Sequence, residues 1–388
     1  MISRPAKLPA VFMRGGTSKG VFFHGKDLPT DPSSRDRVLL HVLGSPDPYG
    51  RQIDGLGGAT SSTSKVAIIG PSARPDCDVD YLVGQVEIKL PSVDYSSNCG
   101  NLASAVGPFA IEEGLVAASE PVTEVRIWQA NIRRRIIARV PTLAGSPVEE
   151  GGYSIDGIAR PGAEITLDFL DPGGSATAGL LPTGRTVDTL DIPGLGSVRV
   201  SLVDATLPTV FVKATDVGLT GTELKGRIDG DTELLGRLEA IRSRAAVLFG
   251  LSKSVEDATR HMPAVPKIAF VAPPQGYRAS DGRYVEKDGV DFVARILSMG
   301  ALHHAYEVSG AIATAMAASI PGTIVNDVAQ LPYERSRIVR IGHTSGTIEI
   351  GTDVERLVDG WNAKSARLSR TARRIMEGYV SVPTSILK

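Results

Sequence analysis

Cys99-Gly-Asn-Leu-Ala-Ser-Ala-Val-Gly-Pro-Phe-Ala110 and Ser309-Gly-Ala-Ile-Ala-Thr-Ala-Met-Ala-Ala-Ser-Ile320 lie some 210 residues apart and read alike. In each, a residue with a nucleophilic side chain and a glycine open a run of small residues at helical spacing. The glycine, the branched aliphatic and two alanines coincide. Small residues allow close packing around such a helix. The pair therefore predicts two similar halves, each with a central helix, and a boundary near residues 184–193. Both stretches lead into segments that read as strands, Gly114-Leu-Val116 and Gly322-Thr-Ile-Val325. A cleft between two halves is a preferred place for a binding site.

Outward from these helices the chain alternates apolar and polar residues. Period-two runs bounded by turn residues predict strands over 78–89, 124–129, 135–140, 197–203 and 209–213. Later ones cover 267–271, 337–341, 346–350 and 375–382. Helical periodicity is clear over 231–249, which has an acidic start and Gly250 past its end. A further helix is predicted over 290–302, with His303 and His304 at its end.

The 388 residues allow two to three domains. Forty-two glycines and 25 prolines are spread along the chain and supply many turns, which favours a β-rich enzyme over a helical bundle. Lys and Arg number 42 against 43 Asp and Glu, a net charge of -1. That balance lacks the footprint of a nucleic-acid binder and gives no reason to dock on an anionic membrane. Cys77 and Cys99 are too few for a disulfide framework or a Cys-rich zinc site. Arg4, Lys7 and Arg14 interrupt any apolar leader, and no apolar run approaches the ~20 residues of a membrane span. The expectation is a soluble, cytoplasmic protein with reduced thiols.

Four segments could carry chemistry. Arg14-Gly-Gly-Thr-Ser-Lys-Gly20 lacks the order of a phosphate loop, and a strand follows it. Its backbone N–H groups, Thr17, Ser18 and Lys19 could hold a carboxylate, or the segment could be a plain tight hairpin. Lys65 follows six small residues and opens Val66-Ala-Ile-Ile69. A lysine withdrawn from water gives up its proton more readily and can serve as a general base; the plainer reading is a solvated strand-end lysine. Ser97-Asn-Cys99-Gly-Asn101 opens the first central helix. A thiol there meets the positive end of the helix dipole, and the free N–H groups can hold an anion; the alternative is a small buried cysteine. Cys77 lies in a polar loop. The six histidines show no metal-ligand spacing, and no G-x-S-x-G elbow is present. His343-Thr-Ser-Gly346 could hold another carboxylate or form a simple β-turn.

The combination resembles the PrpF family. The resemblance rests on Arg14-Gly-Gly-Thr-Ser-Lys-Gly-Val-Phe-Phe23, Gly44-Ser-Pro-Asp-Pro-Tyr-Gly50, Gln52-Ile-Asp-Gly55 and Gly57-Gly-Ala-Thr-Ser-Ser-Thr-Ser-Lys65. Asp78-Val-Asp-Tyr81, Asn98-Cys-Gly-Asn101, Val125-Arg-Ile-Trp-Gln-Ala-Asn131, Pro266-Lys-Ile-Ala-Phe-Val-Ala-Pro-Pro274 and Ser298-Met-Gly300 add to it. It implies an α+β fold of two pseudo-symmetric diaminopimelate-epimerase-like halves, each a β-barrel-like sheet around a central helix, with the active site between them. Residues 1–187, joined by 370–388, would form the half with Lys65 and Cys99; residues 188–369 would form the half with the Ser309 helix.

The epimerase pairs two cysteines, whereas here Ser309 matches Cys99, which speaks against a two-thiol racemase or epimerase. The resemblance implies instead a cofactor-independent 1,3-allylic or cis–trans isomerase of an unsaturated tricarboxylate such as 2-methylaconitate or trans-aconitate. Lys65 and Cys99 would transfer the protons. Asn98 and the N–H groups of Gly100, Asn101 and Gly310 would hold substrate charge. Thr17, Ser18, Ser309 and Ser345 would offer hydroxyls, Lys19 a cation, and His343 and Gly346 further contacts. No metal is implied, and a homodimer is. Isomerisation of 4-oxalomesaconate, or accessory service to an aconitase-like dehydratase, are the alternatives.

Overall fold

The computed structural model describes residues 5–96 and 98–387. Ser97 and residues 1–4, both used in the sequence reading, lie outside them. The chain forms two compact units, Met1–Leu167 with Ser369–Lys388, and Asp168–Leu368. The sequence reading sets the change of unit at 187/188. Within the second unit the stretch 171–187 is tied down by one buried aspartate. The Asp204 carboxylate accepts the N–H groups of Ala176 and Thr177, each at 2.8 Å, and the Asp204 N–H donates to the Leu180 carbonyl at 3.0 Å. Its glycines and prolines look like a linker but are held by these bonds.

In the first unit, Ala6–Gly15 and Ser18–His24 form an antiparallel hairpin. Ser18–His24 pairs in parallel with Lys65–Pro71, which pairs antiparallel with Val79–Val86. Val79–Val86 runs parallel to Val122–Gln129, and that strand is antiparallel to Arg134–Leu143. The last strand, Ala372–Val382, pairs along Ala6–Gly15. The helix Gly100–Glu112 touches all of these strands, and every residue from Gly100 to Ile111 is buried. A helix that is apolar all round belongs inside. Gly107 shows how close the sheet comes: a Cβ there would stand 2.6 Å from Val140 Cγ2.

The second unit repeats this order of pairings. Gly196–Asp204 and Pro208–Lys213 are antiparallel, and Pro208–Lys213 is parallel to Lys267–Ala272. Lys267–Ala272 is antiparallel to Phe292–Ser298, which runs parallel to Ser336–His343, itself antiparallel to Gly346–Leu357. Its central helix is Val308–Ala318, buried throughout. The predicted helix over 231–249 is Thr232–Leu248, capped by the Asp231 side chain on the Leu234 N–H at 3.0 Å.

Three expectations are corrected. The stretch 290–302 is not a helix: Phe292–Ser298 is a strand with all seven residues buried. A strand covered on both faces has no polar alternation to reveal it. Met299 and Gly300, at φ 54 and 74, turn the chain into a short strand, Ala301–Leu302, so His303 and His304 end no helix. Gly114-Leu-Val116 closes the first central helix instead of starting a strand, with the Leu115 and Val116 N–H groups both on the Ala110 carbonyl. Thr323 accepts the Asn326 N–H at 3.1 Å and starts the helix Ile324–Ala329.

Candidate active site

Cys99 stands at the N-cap of the first central helix and is 7% exposed. Its thiol points at the Ser18 hydroxyl across 3.9 Å, and its carbonyl accepts the Tyr81 hydroxyl at 3.1 Å. The N–H groups of the first helical turn find no carbonyl within their own helix. Thr17 and Ser18 reach this point because the glycine-rich segment is a hairpin whose turn sits on the helix start. The Thr17 N–H donates to Asn101 Oδ1 at 3.3 Å, and Asn101 Nδ2 donates to Thr17 Oγ1 at 3.0 Å. The Asn101 side chain thus holds the turn through its oxygen and one of its two N–H bonds. Gly16, at φ +50, leaves room for this: a Cβ would lie 2.1 Å from Asn101 Oδ1.

Two arginines back the turn. Arg14 Nη1 donates to the carbonyls of Gly16 and Thr371, at 3.0 and 2.9 Å. Burial, and then the charge of Arg373, lower the Arg14 guanidinium below its ordinary range. Burial brings Arg370 down to about 10, and its Nε has no hydrogen-bond partner. Arg370 was not among the sequence candidates; a lone arginine near the C-terminal end carries no motif.

Lys65 is the first residue of its strand and lies directly opposite Gln85. Its Nζ donates to Gln85 Oε1 at 2.5 Å. Gln85 and Tyr81 are four residues apart on one strand, so alternation puts them on the same face. Tyr81 reaches the Cys99 carbonyl, so Lys65 rises from the face of the sheet that meets the central helix. Gly20, also on that face, would set a Cβ 3.3 Å from Leu102 of the helix. Lys19 alternates to the other side, its Nζ 5.4 Å from the Phe12 ring centre, and does not join the group. Sequence reasoning missed Gln85 and Tyr81. The available signal was a glutamine at an inward position of an otherwise apolar alternation.

The second unit holds the remaining candidates. Ser309, 2% exposed, gives its carbonyl to the Thr206 hydroxyl at 3.1 Å. Gly310 packs where a Cβ would meet Ile296 Cδ1 at 2.4 Å. His343-Thr-Ser-Gly346 is the two-residue turn of a hairpin, and all four residues are buried. Tyr277 donates its hydroxyl to the carbonyls of His343 and Gly346, at 2.9 and 2.5 Å. The Ser345 N–H donates to His343 Nδ1 at 3.2 Å, and its hydroxyl donates to the His304 carbonyl at 2.5 Å. That hydroxyl proton serves the turn and is not offered to a ligand. The register also sets Lys267 opposite Ser298, and Lys267 Nζ donates to Ser298 Oγ at 2.9 Å. Lys267 is therefore the repeat counterpart of Lys65. Among the described residues no group of three or more His, Cys, Asp or Glu could hold a metal ion, and no helix is long and apolar enough to cross a membrane.

The family model described as PrpF protein matches residues 5–383. A 2-methyl-aconitate isomerase of Cupriavidus necator is 48% identical over 388 residues, with 97% of each chain covered. The crystal structure of a methylitaconate-delta-isomerase is 44% identical, with a TM-score of 0.79 over 100% of this chain and 98% of that one. A probable proline racemase from Agrobacterium radiobacter, at 13% identity and a TM-score of 0.54, covers 96% of this chain and 92% of its own. That distant likeness shows the fold alone, the diaminopimelate-epimerase-like α+β architecture expected from the sequence. On the near relatives' identity and coverage the chain is an isomerase, and it belongs to the PrpF family.

Proposed function

We propose that the protein moves a double bond within an unsaturated tricarboxylate such as 2-methylaconitate or trans-aconitate, without a cofactor. The names of the two near relatives support a methyl-branched unsaturated acid of this kind. The observation that carries the reading is that Lys65 and Cys99 belong to the same interior face of one unit, the thiol at a helix N-terminus beside the Ser18 hydroxyl. One of the two groups takes a proton from the allylic carbon. The electron pair spreads into the conjugated carboxylate as a dienolate, and the other group returns a proton at the far end of the three-carbon unit. One C–H bond breaks, one forms, and the oxidation level is unchanged. The N–H groups at the helix start hold carboxylate or enolate charge. Placed acids and bases contribute about 10²–10⁴-fold, so the fixed dipoles supply much of the rest.

The test is incubation of the purified chain with 2-methylaconitate, trans-aconitate or 4-oxalomesaconate in D₂O, followed by NMR. Isomerised aconitate-type product carrying deuterium is expected. Turnover of 4-oxalomesaconate alone moves the substrate to the keto-acid branch. Activity seen only beside a dehydratase replaces the enzyme reading with the accessory one, and the absence of both product and exchange sinks the proposal.

A further inference from the structure

The amine of Lys65 meets an acceptor whose own orientation is fixed. Gln85 is 5% exposed. Its Nε2 donates to the Ser64 carbonyl at 2.9 Å, so Oε1 is the atom turned to Lys65 Nζ, 2.5 Å away. Ser64 is fixed in turn: its hydroxyl donates to the Val86 carbonyl at 2.8 Å and accepts from Gln52 Nε2 at 2.7 Å. Gln52 Nε2 also donates to Ser45 Oγ at 2.9 Å, and its Oε1 accepts the Ala59 N–H at 2.8 Å. Gln52, Ser64 and Gln85 are all buried. Burying such a chain costs desolvation that apolar side chains would avoid. What it delivers is one neutral acceptor at a fixed point opposite a lysine. In the second unit the Ser298 hydroxyl stands at the same register position opposite Lys267, whose amine, unlike that of Lys65, also lies 3.9 Å from the Glu307 carboxylate.

We propose that Gln85 is a positioning residue for proton transfer by Lys65: it holds the amine through one N–H and, being uncharged, lets that amine both gain and lose a proton. The proposal rests on the role given to Lys65 above. A neutral amine has two N–H bonds and one lone pair. Giving one N–H to Gln85 confines the lone pair to the two remaining tetrahedral positions of the nitrogen. An ammonium gives Gln85 one of its three N–H bonds and keeps the same place. A carboxylate at position 85 would pair with the ammonium and hold its proton on. The other titratable groups on this face are Asp94, paired opposite Gln85 with its Oδ1 on the Ser96 N–H at 2.7 Å, Tyr81 on the same strand, His24 at the end of the neighbouring strand against Phe109 of the helix, and Cys99 at the helix opening. Lys19 on the neighbouring strand and Asp80 alternate to the opposite face.

The test compares Gln85→Glu and Gln85→Leu with the parent chain, measuring kcat and KM between about pH 6 and 10. Gln85→Leu is expected to lower kcat about 10–100-fold with KM changed less than about threefold. Gln85→Glu is expected to move the limb of the kcat profile set by Lys65 upward by about one pH unit or more, with activity partly recovered at the alkaline end. A structural role alone would not move that limb. A Gln85→Glu profile that overlays the parent overturns the proposal, as does full kcat in Gln85→Leu. If Gln85→Leu fails to fold, Gln85→Met supplies the kcat reading. Lys65→Met separates the two claims. Full activity in it removes the role of Lys65 itself; inactivity with an unshifted Gln85→Glu profile removes Gln85 alone.

Discussion

Asp78 and Arg126 bind each other through backbone and side chain at once. The Asp78 N–H donates to the Arg126 carbonyl and the Arg126 N–H to Asp78 Oδ2, each at 2.7 Å, while the guanidinium reaches Oδ1 at 2.6 Å. Asp291 and Arg340 repeat the arrangement in the second unit, their two backbone bonds and the guanidinium contact all at 2.8 Å. In each unit this pair locks the parallel join between two strands. Burial alone would raise the Asp78 carboxyl, but the hydrogen bonds and charge of Arg126 outweigh it and hold the group below its ordinary range. A carboxyl lowered in the folded state stabilises above its unfolded pKa, and the gain is lost as pH falls through the folded one. Asp78→Asn should lower the melting temperature by a few degrees at neutral pH. The gap from the parent should close below about pH 4, near the unfolded carboxyl value. A gap that stays constant into acid would show that charge plays no part.

Lys65→Met and Cys99→Ser should each cut kcat by about 10²–10⁴-fold, the usual worth of a placed acid or base. Circular dichroism and melting should stay near those of the parent, because Lys65 only opens its strand and Cys99→Ser exchanges a single buried atom at nearly constant shape. Full activity in either variant removes that residue from the chemistry.

Ser309→Ala should lower kcat/KM less than about tenfold, well below the loss at Cys99, because a neutral serine hydroxyl is a poor proton carrier without an adjacent base. An equal loss at both positions would mean that the second unit shares the proton transfer.

Two glycine substitutions should separate site from scaffold. Gly16→Ala places a side chain in a left-handed conformation, at about 1–2 kcal/mol, and pushes on the Asn101 amide. It should cost at least about tenfold in kcat/KM, because the Thr17–Ser18 turn shifts against Cys99. Gly107→Ala overpacks the helix against Val140 at about 1–3 kcal/mol. It should lower the melting temperature and leave kcat unchanged below the melt. Steady-state kinetics beside thermal denaturation checks both.

The central helices, the hairpin turns and the place of Cys99 were legible because each rests on a local rule. Small residues at helical spacing mark a buried helix, and a glycine pair between apolar runs marks a turn. Phe292–Ser298 was not legible, since a strand buried on both faces presents the same apolar run as a buried helix. The role of Gln85 depends on what lies across the sheet from it, and that of Asn101 on the turn set against its helix, and no spacing along the chain encodes either. Lys19 was misplaced for a related reason: it adjoins Ser18, but neighbours on a strand face opposite ways.

The strand Ala372–Val382 lies against Ala6–Gly15, the first strand described. During synthesis it leaves the ribosome after everything it closes. All of the second unit, Asp168–Leu368, is available to fold before the first unit receives its last strand. Until then Ala6–Gly15 keeps an open edge, the kind of surface on which nascent chains join one another. A chain stopped just before residue 372 therefore loses far more than a tail: it leaves the half that carries Lys65 and Cys99 unsealed.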